Sequence, residues 1–190
     1  MRLLVLDNYD SFTYNLVHYL EQIEEVELRI VRNDCMPLDE LNWADAVVIS
    51  PGPGLPHEAG CCMALIEAAW EHKPILGVCL GHQALAMHTG ARLRNLKRVH
   101  HGIDSRLMVS AKDSIFVGLD EELRVGRYHS WVVDGSTLGQ DWEITSTDED
   151  GDIMSMRHRR LPHVGVQFHP ESIMTTDGLL MLKNWVNAIR

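Results

Sequence analysis

Four short apolar runs, "RLLVLD" (2–7), "VELRIVR" (26–32), "ADAVVIS" (44–50) and "ILGV" (75–78), punctuate the first eighty or so positions. Between and after them lie segments of helical period. In Ser11–Val26, Phe12, Leu16, Tyr19, Leu20 and Ile23 recur at spacings of three and four, with Asp10 or Ser11 available as N-cap. Further helices are expected over Glu58–His72 and Leu80–His88. The stretch "PGPGLPHEAG" (51–60) holds three prolines and three glycines and must be a loop. The first of the apolar runs, Arg2–Asp7, reads as a strand buried on both faces. A β-α-β order of this kind therefore predicts a parallel sheet with right-handed crossovers and helices on both faces.

After Gly90 the pattern changes. "SRLMVS" (105–110), "WEITST" (142–147), "DIMSMRH" (152–158) and "HVGVQF" (163–168) read as strands, with "DEDGD" (148–152) as a hairpin turn. These later strands are expected to pair antiparallel. Thr176–Ile189 closes the chain as a helix, with Leu179, Leu180, Leu182, Trp185, Val186 and Ile189 facing inward. No repeat, low-complexity tract or linker interrupts residues 1–190, which predicts one domain. The expected class is α/β: an open, mostly parallel but mixed sheet flanked by helices on both faces, with a flavodoxin-like core.

A net charge of -10 and no basic run longer than Arg159-Arg160 make nucleic acid a poor partner. No apolar run approaches membrane-spanning length, and the N-terminus lacks a signal-peptide pattern, so a cytoplasmic location is expected. The cysteines Cys35, Cys61, Cys62 and Cys79 form no C-x-x-C pair and should be free thiols in a reducing compartment. Cys61-Cys62 lies in a helical apolar pattern and reads as core.

Cys79 differs. "PILGVCLGHQAL" (74–85) puts it at a strand-to-helix corner with Gly77 and Gly81 two positions away on either side. This is the spacing of the G-x-S-x-G nucleophile elbow with sulfur in place of oxygen. Side chains at the two glycines would collide across so sharp a bend. The helix opening at Leu80 turns its free N–H groups toward the sulfur, which favours thiolate, and the Leu80 amide is a natural oxyanion donor.

A nucleophile needs a base. Of eleven histidines, His100, His101 and His158 lie in polar stretches and are expected to be solvated, with no metal-site spacing around them. His169 in "HVGVQFHPES" follows an apolar strand, and Glu171, after Pro170, can fold back onto one ring nitrogen. Together with Cys79 these compose a Cys-His-Glu triad.

"GVCLGHQ", "VGVQFHPES" and "SPGPGLP" together resemble the class I, or triad, glutamine amidotransferases, which hydrolyse glutamine to glutamate and ammonia. "LDNYDSFTYNL" (6–16) is similar in particular to the glutaminase subunit, component II, of anthranilate synthase and aminodeoxychorismate synthase. The resemblance runs from residue 2 to the last helix. It implies Cys79 as nucleophile, His169 as general base and acid, and Glu171 as its orienter. It also implies Gly52 and Leu80 as the oxyanion hole, and Gly52, Pro53, Gly54, Gln83, Ser130 and Trp131 as glutamine contacts. The implied chain needs no metal or organic cofactor. Its implied partner is a chorismate-binding synthase subunit, component I, which would use Mg2+, in a heteromer; the loop with Tyr9 and Phe12 would lie near the face that meets it.

Two stretches depart from the family pattern: Trp131 stands where leucine is more common, and Leu93–Arg98 ("LRNLKR") is atypical, although His101-Gly102 and Ser105 fit. The product implied first is anthranilate, for tryptophan; aminodeoxychorismate, for folate, is the alternative. A free-standing γ-glutamyl amide hydrolase and a nucleotide-binding module are rivals. The second lacks both G-x-G-x-x-G and a Walker loop.

Overall fold

The structure, a computed structural model, describes residues 1–97, 99–111, 113–120 and 122–190. The first half runs β1 (Arg2–Asp7), α1 (Thr13–Glu21), β2 (Glu27–Arg32), α2 (Leu38–Trp43), β3 (Ala46–Ile49), α3 (Cys62–Ala69), β4 (Ile75–Val78) and α4 (Leu80–His88). Then come β5 (Leu93–Asn95), β6 (Ile103–Val109), β7 (Leu123–Arg127) and β8 (Trp131–Val133). The chain continues through β9 (Trp142–Thr147), β10 (Ile153–His158) and β11 (His163–Val166) to α5 (Gly178–Ala188).

Among the described residues a nine-stranded sheet has the order β2-β1-β3-β4-β11-β10-β9-β6-β7, and β5 pairs with β8 beside it. From β2 to β11 neighbouring strands are parallel; from β11 to β7 they are antiparallel. Strand alternation divides the core in two. Leu3, Val5, Val48, Leu76 and Val166 face Leu16 and Leu20 of α1 and Leu182, Trp185 and Val186 of α5. Leu4, Leu6, Val47, Ile49 and Ile75 face Leu41 of α2, Leu65 and Ile66 of α3, and Leu85 of α4. Each such side chain is worth roughly 2 kcal/mol when fully buried, so neither face of the sheet can be left bare. The expected mixed α/β sheet covered on both faces is what forms. No helix among the described residues is long and apolar enough to cross a membrane.

Several boundaries move. The first helix ends at Glu21, not Val26, because the chain turns there and Glu25 takes a positive φ of 59°. The third helix is shorter than Glu58–His72, since a separate 3-10 turn takes up Pro56–Glu58. The six-residue α2 was not expected; with only Leu41 buried it carries too little periodicity to detect. Nor were β5, β7 and β8. The last strand before the final helix, β11, pairs antiparallel with β10, as expected, and on its other side runs parallel to β4. In α5, Met181 rather than Leu180 faces inward, and Leu180 is 38% exposed. The 148–152 turn forms as expected, with Asp148 Oδ1 accepting from the amides of Asp150 and Asp152 at 3.0 and 2.8 Å.

The expectation that His158 is solvated is incorrect. It is buried, its ring edge-on to Trp70 and Trp142, with Nδ1 accepting from the Leu161 amide at 2.9 Å. His100 is half-buried, its ring 5.5 Å from that of His129, while His101 is exposed.

Two other buried histidines tie folding to pH. His82 on α4 fits over Gly165, where a Cβ would lie 2.7 Å from its Nδ1, and burial, partly opposed by the Gly165 backbone, pushes it down to about 4. His163 reaches the Trp70 carbonyl at 3.0 Å and is likewise pushed down to about 4, chiefly by burial. A histidine depressed in the folded state leaves the unfolded chain holding more protons, so stability is complete above about pH 6.5 and falls as pH drops toward 4. Urea unfolding at pH 7.5 and pH 5 should differ by roughly 2 kcal/mol for each of these two groups. His163→Gln should remove its own share, about 2 kcal/mol, from that difference.

Candidate active site

Cys79 is the single residue between β4 and α4, at φ 51° and ψ −98°. For a non-glycine residue such a conformation costs about 1–3 kcal/mol and persists only when the surroundings enforce it. Here the Cys79 amide donates to the Val166 carbonyl at 2.8 Å, and its carbonyl accepts from the Gln83 amide at 3.1 Å. Gly77 does clear the bend, since a Cβ there would sit 2.4 Å from the Gly81 carbonyl oxygen. Gly81 has a different reason from the one expected: its Cβ would meet the Ile49 carbonyl oxygen of β3 at 2.5 Å, so it seats α4 on the sheet. Leu80 opens the helix, and its amide is among the first-turn donors that have no partner within the helix.

The parallel register of β4 and β11 sets Val78 against Val166, so the end of β11 arrives beside the elbow. His169 follows shortly. Its amide donates to the Gly126 carbonyl at 3.0 Å, and its own carbonyl accepts from Thr175 Oγ1 at 2.7 Å. Gly178 lets α5 begin against this turn, because a Cβ there would lie 1.7 Å from the Pro170 carbonyl oxygen. The His169 ring is gripped edgewise by Phe12 and Tyr128, at centroid distances of 5.3 and 5.0 Å.

His169 Nδ1 lies 2.7 Å from Glu171 Oε1, with both side chains almost wholly buried. Burial works against a charged ring, yet the charge of Cys79, hydrogen bonding to Cys79 and the Glu171 carboxylate outweigh it. They hold His169 well above the usual histidine range. Nε2, the second ring nitrogen, makes no fully aligned hydrogen bond. The Cys79 sulfur is nevertheless close enough to act on the ring by its charge. The structure thus brings Cys79, His169 and Glu171 together.

A cleft of about 160 Å³ opens beside the sulfur. Gly52, Pro53 and Gly54 form one wall; Cys79, Leu80 and Gln83 form the base. The opposite wall is Tyr128, His129, Ser130 and Trp131. Every glutamine contact implied by the sequence resemblance borders this space, while His169 and Glu171 stand behind it. Larger clefts of about 430 and 450 Å³ run along β6 near Phe116, share no residue with this one and hold no cysteine. Trp131 meets Gln83 through its backbone, its carbonyl accepting from Gln83 Nε2 at 2.8 Å, so the indole is a matter of the cleft wall alone. In the atypical segment Leu93–Arg98, Leu93–Asn95 forms β5 against β8; Arg98 lies outside the described residues.

Four residues at the site were not expected. Asn8 supports Gly52, where a Cβ would lie 2.6 Å from Asn8 Cβ, and is itself held by Ser50 and Asn33. The motif around it signals a strand end and turn but not this support. Tyr128 and His129 adjoin Ser130, and nothing in their own stretch marks them. Gln167 reaches Cys79 Sγ with Nε2 at 3.6 Å. Its signal was visible: one polar residue inside an apolar strand end.

The model of the family "Glutamine amidotransferase class-I" matches residues 4–189. The aminodeoxychorismate/anthranilate synthase component 2 of Bacillus subtilis (strain 168) is 45% identical over 190 residues, covering 99% of this chain and 97% of its own. The bifunctional protein TrpGD of Thermotoga maritima is 41% identical over 189 residues; the match covers 98% of this chain and 32% of that longer protein, so this chain spans about a third of it. Among solved structures, a GMP synthase subunit from Thermoplasma acidophilum superposes with a TM-score of 0.88 at 26% identity, covering 100% of this chain and 94% of that one.

The elbow makes a direct demand on stability. Gly77→Ala drives a methyl group into backbone and should cost at least about 2 kcal/mol in urea unfolding. Gly139→Ala, at a position with nothing within 4 Å of the added carbon, should stay within about 0.5 kcal/mol of wild type.

Proposed function

The chain belongs to the class-I glutamine amidotransferases, and from that premise we propose that Cys79, His169 and Glu171 hydrolyse glutamine and that the ammonia passes to a chorismate-binding synthase subunit. The observation that carries this reading is the strained elbow of Cys79 beside a buried His169–Glu171 pair at 2.7 Å.

The Cys79 thiolate attacks the side-chain amide carbon of glutamine, and the carbonyl oxygen becomes an oxyanion facing the amides of Gly52 and Leu80. Each such donor is worth about 3 kcal/mol in the transition state. His169, kept protonated by the thiolate and Glu171, gives its Nε2 proton to the departing nitrogen. The C–N bond breaks, ammonia leaves and a γ-glutamyl thioester remains. Water then adds to the thioester as His169 takes its proton; the C–S bond breaks, and glutamate departs as the thiolate–imidazolium pair is restored. No step calls on a metal or organic cofactor. Gln83, Ser130 and the Trp131 backbone receive the amino-acid end of the substrate.

Free ammonia at neutral pH is mostly ammonium, which has no lone pair for attack. A shielded route to an acceptor is the physical reason for a partner, and the cytoplasm is the expected setting. Anthranilate is the product proposed first. A second reading, in which the same glutaminase serves aminodeoxychorismate synthase, is favoured by the Bacillus subtilis relative, whose name joins both synthases.

Reconstitution with each cognate synthase partner tests this. Cys79→Ser should abolish glutamine-dependent formation of the aromatic product while leaving ammonium-dependent formation intact. Wild-type hydrolysis of glutamine without transfer to chorismate in either pairing would return the free-standing hydrolase. Gly52→Ala, which forces the loop away from Asn8, should lower glutaminase kcat about 100-fold with an unchanged circular dichroism spectrum.

A further inference from the structure

Gln167 is fully buried at the end of β11, and the mechanism above leaves it without a part. A buried amide costs free energy unless its donors and acceptor are met. Its backbone amide donates to the Met154 carbonyl at 2.8 Å, which fixes the strand end. Its side chain stands between Cys79 Sγ, 3.6 Å from Nε2, and Gln83 Nε2, 3.1 Å from Oε1.

Either amide could in principle be turned over, exchanging oxygen and nitrogen. The bonds around them allow one direction only. Arg127, paired with Asp148 where both are nearly inaccessible, can only donate, and its Nε lies 3.1 Å from His129 Nε2. That histidine nitrogen is therefore an acceptor. His129 stays neutral because burial, and then the Arg127 charge, push it down to about 2. Its one proton is on Nδ1, which donates to the Trp131 carbonyl at 3.0 Å. The same carbonyl accepts from Gln83 at 2.8 Å, so the Gln83 atom there is its NH2 group. That NH2 also meets Gln167, whose facing atom must be oxygen. The Gln167 NH2 group is left for the sulfur. With both its N–H bonds directed at protein acceptors, Gln83 presents its oxygen to the cleft, which suits the ammonium of an amino acid.

We propose that Gln167 is a positioning residue that donates a hydrogen bond to the Cys79 thiolate and, through Gln83, fixes the part of the cleft wall that receives the substrate's amino-acid end. The proposal rests on Cys79 being the nucleophile of the reading above. An N–H donor strengthens greatly when its sulfur acceptor becomes an anion, so Gln167 stabilises thiolate over thiol. The titratable groups that bear on the sulfur from the packed elements are His169 with Glu171 after β11, Tyr128 and His129 between β7 and β8, and His82 on α4. Of these, His169 is the one coupled to Cys79 by charge.

The test is the pH dependence of Cys79 alkylation by iodoacetamide in the full chain, followed on the Cys79 peptide by mass spectrometry because Cys35 and Cys61 are also accessible. Gln167→Met should raise the midpoint by about one pH unit. Gln167→Glu keeps an acceptor for Gln83 but sets a carboxylate against the sulfur, and should raise it further. A folded Gln167→Met protein with the wild-type midpoint overturns the proposal; a role in packing alone lowers the urea midpoint and leaves alkylation unmoved. If the methionine variant does not fold, Gln83→Ala decides, since it frees the Gln167 amide to turn and must also raise the midpoint; an unmoved midpoint there overturns the relay. A wild type whose Cys79 alkylates normally yet hydrolyses no glutamine, alone or with a synthase, overturns the functional reading separately.

Discussion

The parallel pairing of β4 with β11 is the constraint on which this site depends. It joins segments 88 positions apart at Cys79 and Gln167, and it does so through backbone hydrogen bonds that no side chain can shift by part of a residue. Because strand register moves in whole steps, a slip of one residue would put Cys79 and Gln167 on opposite faces and a slip of two would part them by about 7 Å. The Cys79 amide bonded to Val166 is the last rung of that ladder. Without it the elbow keeps only the Gln83 amide on its carbonyl to hold the positive φ, and the end of β11 is no longer tied to the sulfur.

Around this rung the protein gathers polar groups that would be costly if any were left alone. The His169–Glu171 pair is buried beneath Phe12 and Tyr128, so a charge on the ring is poorly hydrated and must be balanced by nearby anions. Low polarity strengthens each remaining interaction, which is why a single carboxylate and a single sulfur can outweigh the burial cost. The same logic runs along Arg127, His129, Trp131, Gln83 and Gln167, where each orientation follows from the one before. The small cleft is therefore walled by groups whose directions are set from behind.

Much of this was legible in the chain. The β-α-β alternation predicts a sheet covered on both faces because apolar runs of that length have no other way to leave water. The elbow and the H-P-E turn stand out because glycine and proline are used there for steric reasons, and steric reasons leave local marks. What escaped had weak local marks. The helix α2 buries one leucine; β5 and β8 are three residues each; β7 ends in Gly-Arg and looks like a connection. His158 sits among arginines in sequence yet packs against Trp70, a partner on a different element. That β11 also joins β4, and runs parallel to it, escaped for a related reason: polarity patterns say that a strand is buried, not which neighbour it joins.

The sequence by itself determined the layers, the corner that carries Cys79 and the identity of the three side chains now found together, since these follow from hydrophobic period, backbone sterics and residue type. Tertiary structure alone decided that β11 returns parallel beside β4, that Asn8 and Phe12 from the N-terminus support Gly52 and His169, and that the amide of Gln167 faces the sulfur. The physical reason is distance along the chain. Contacts between residues far apart in sequence are selected by register, packing and the satisfaction of buried hydrogen bonds, and these act only once the whole sheet has formed.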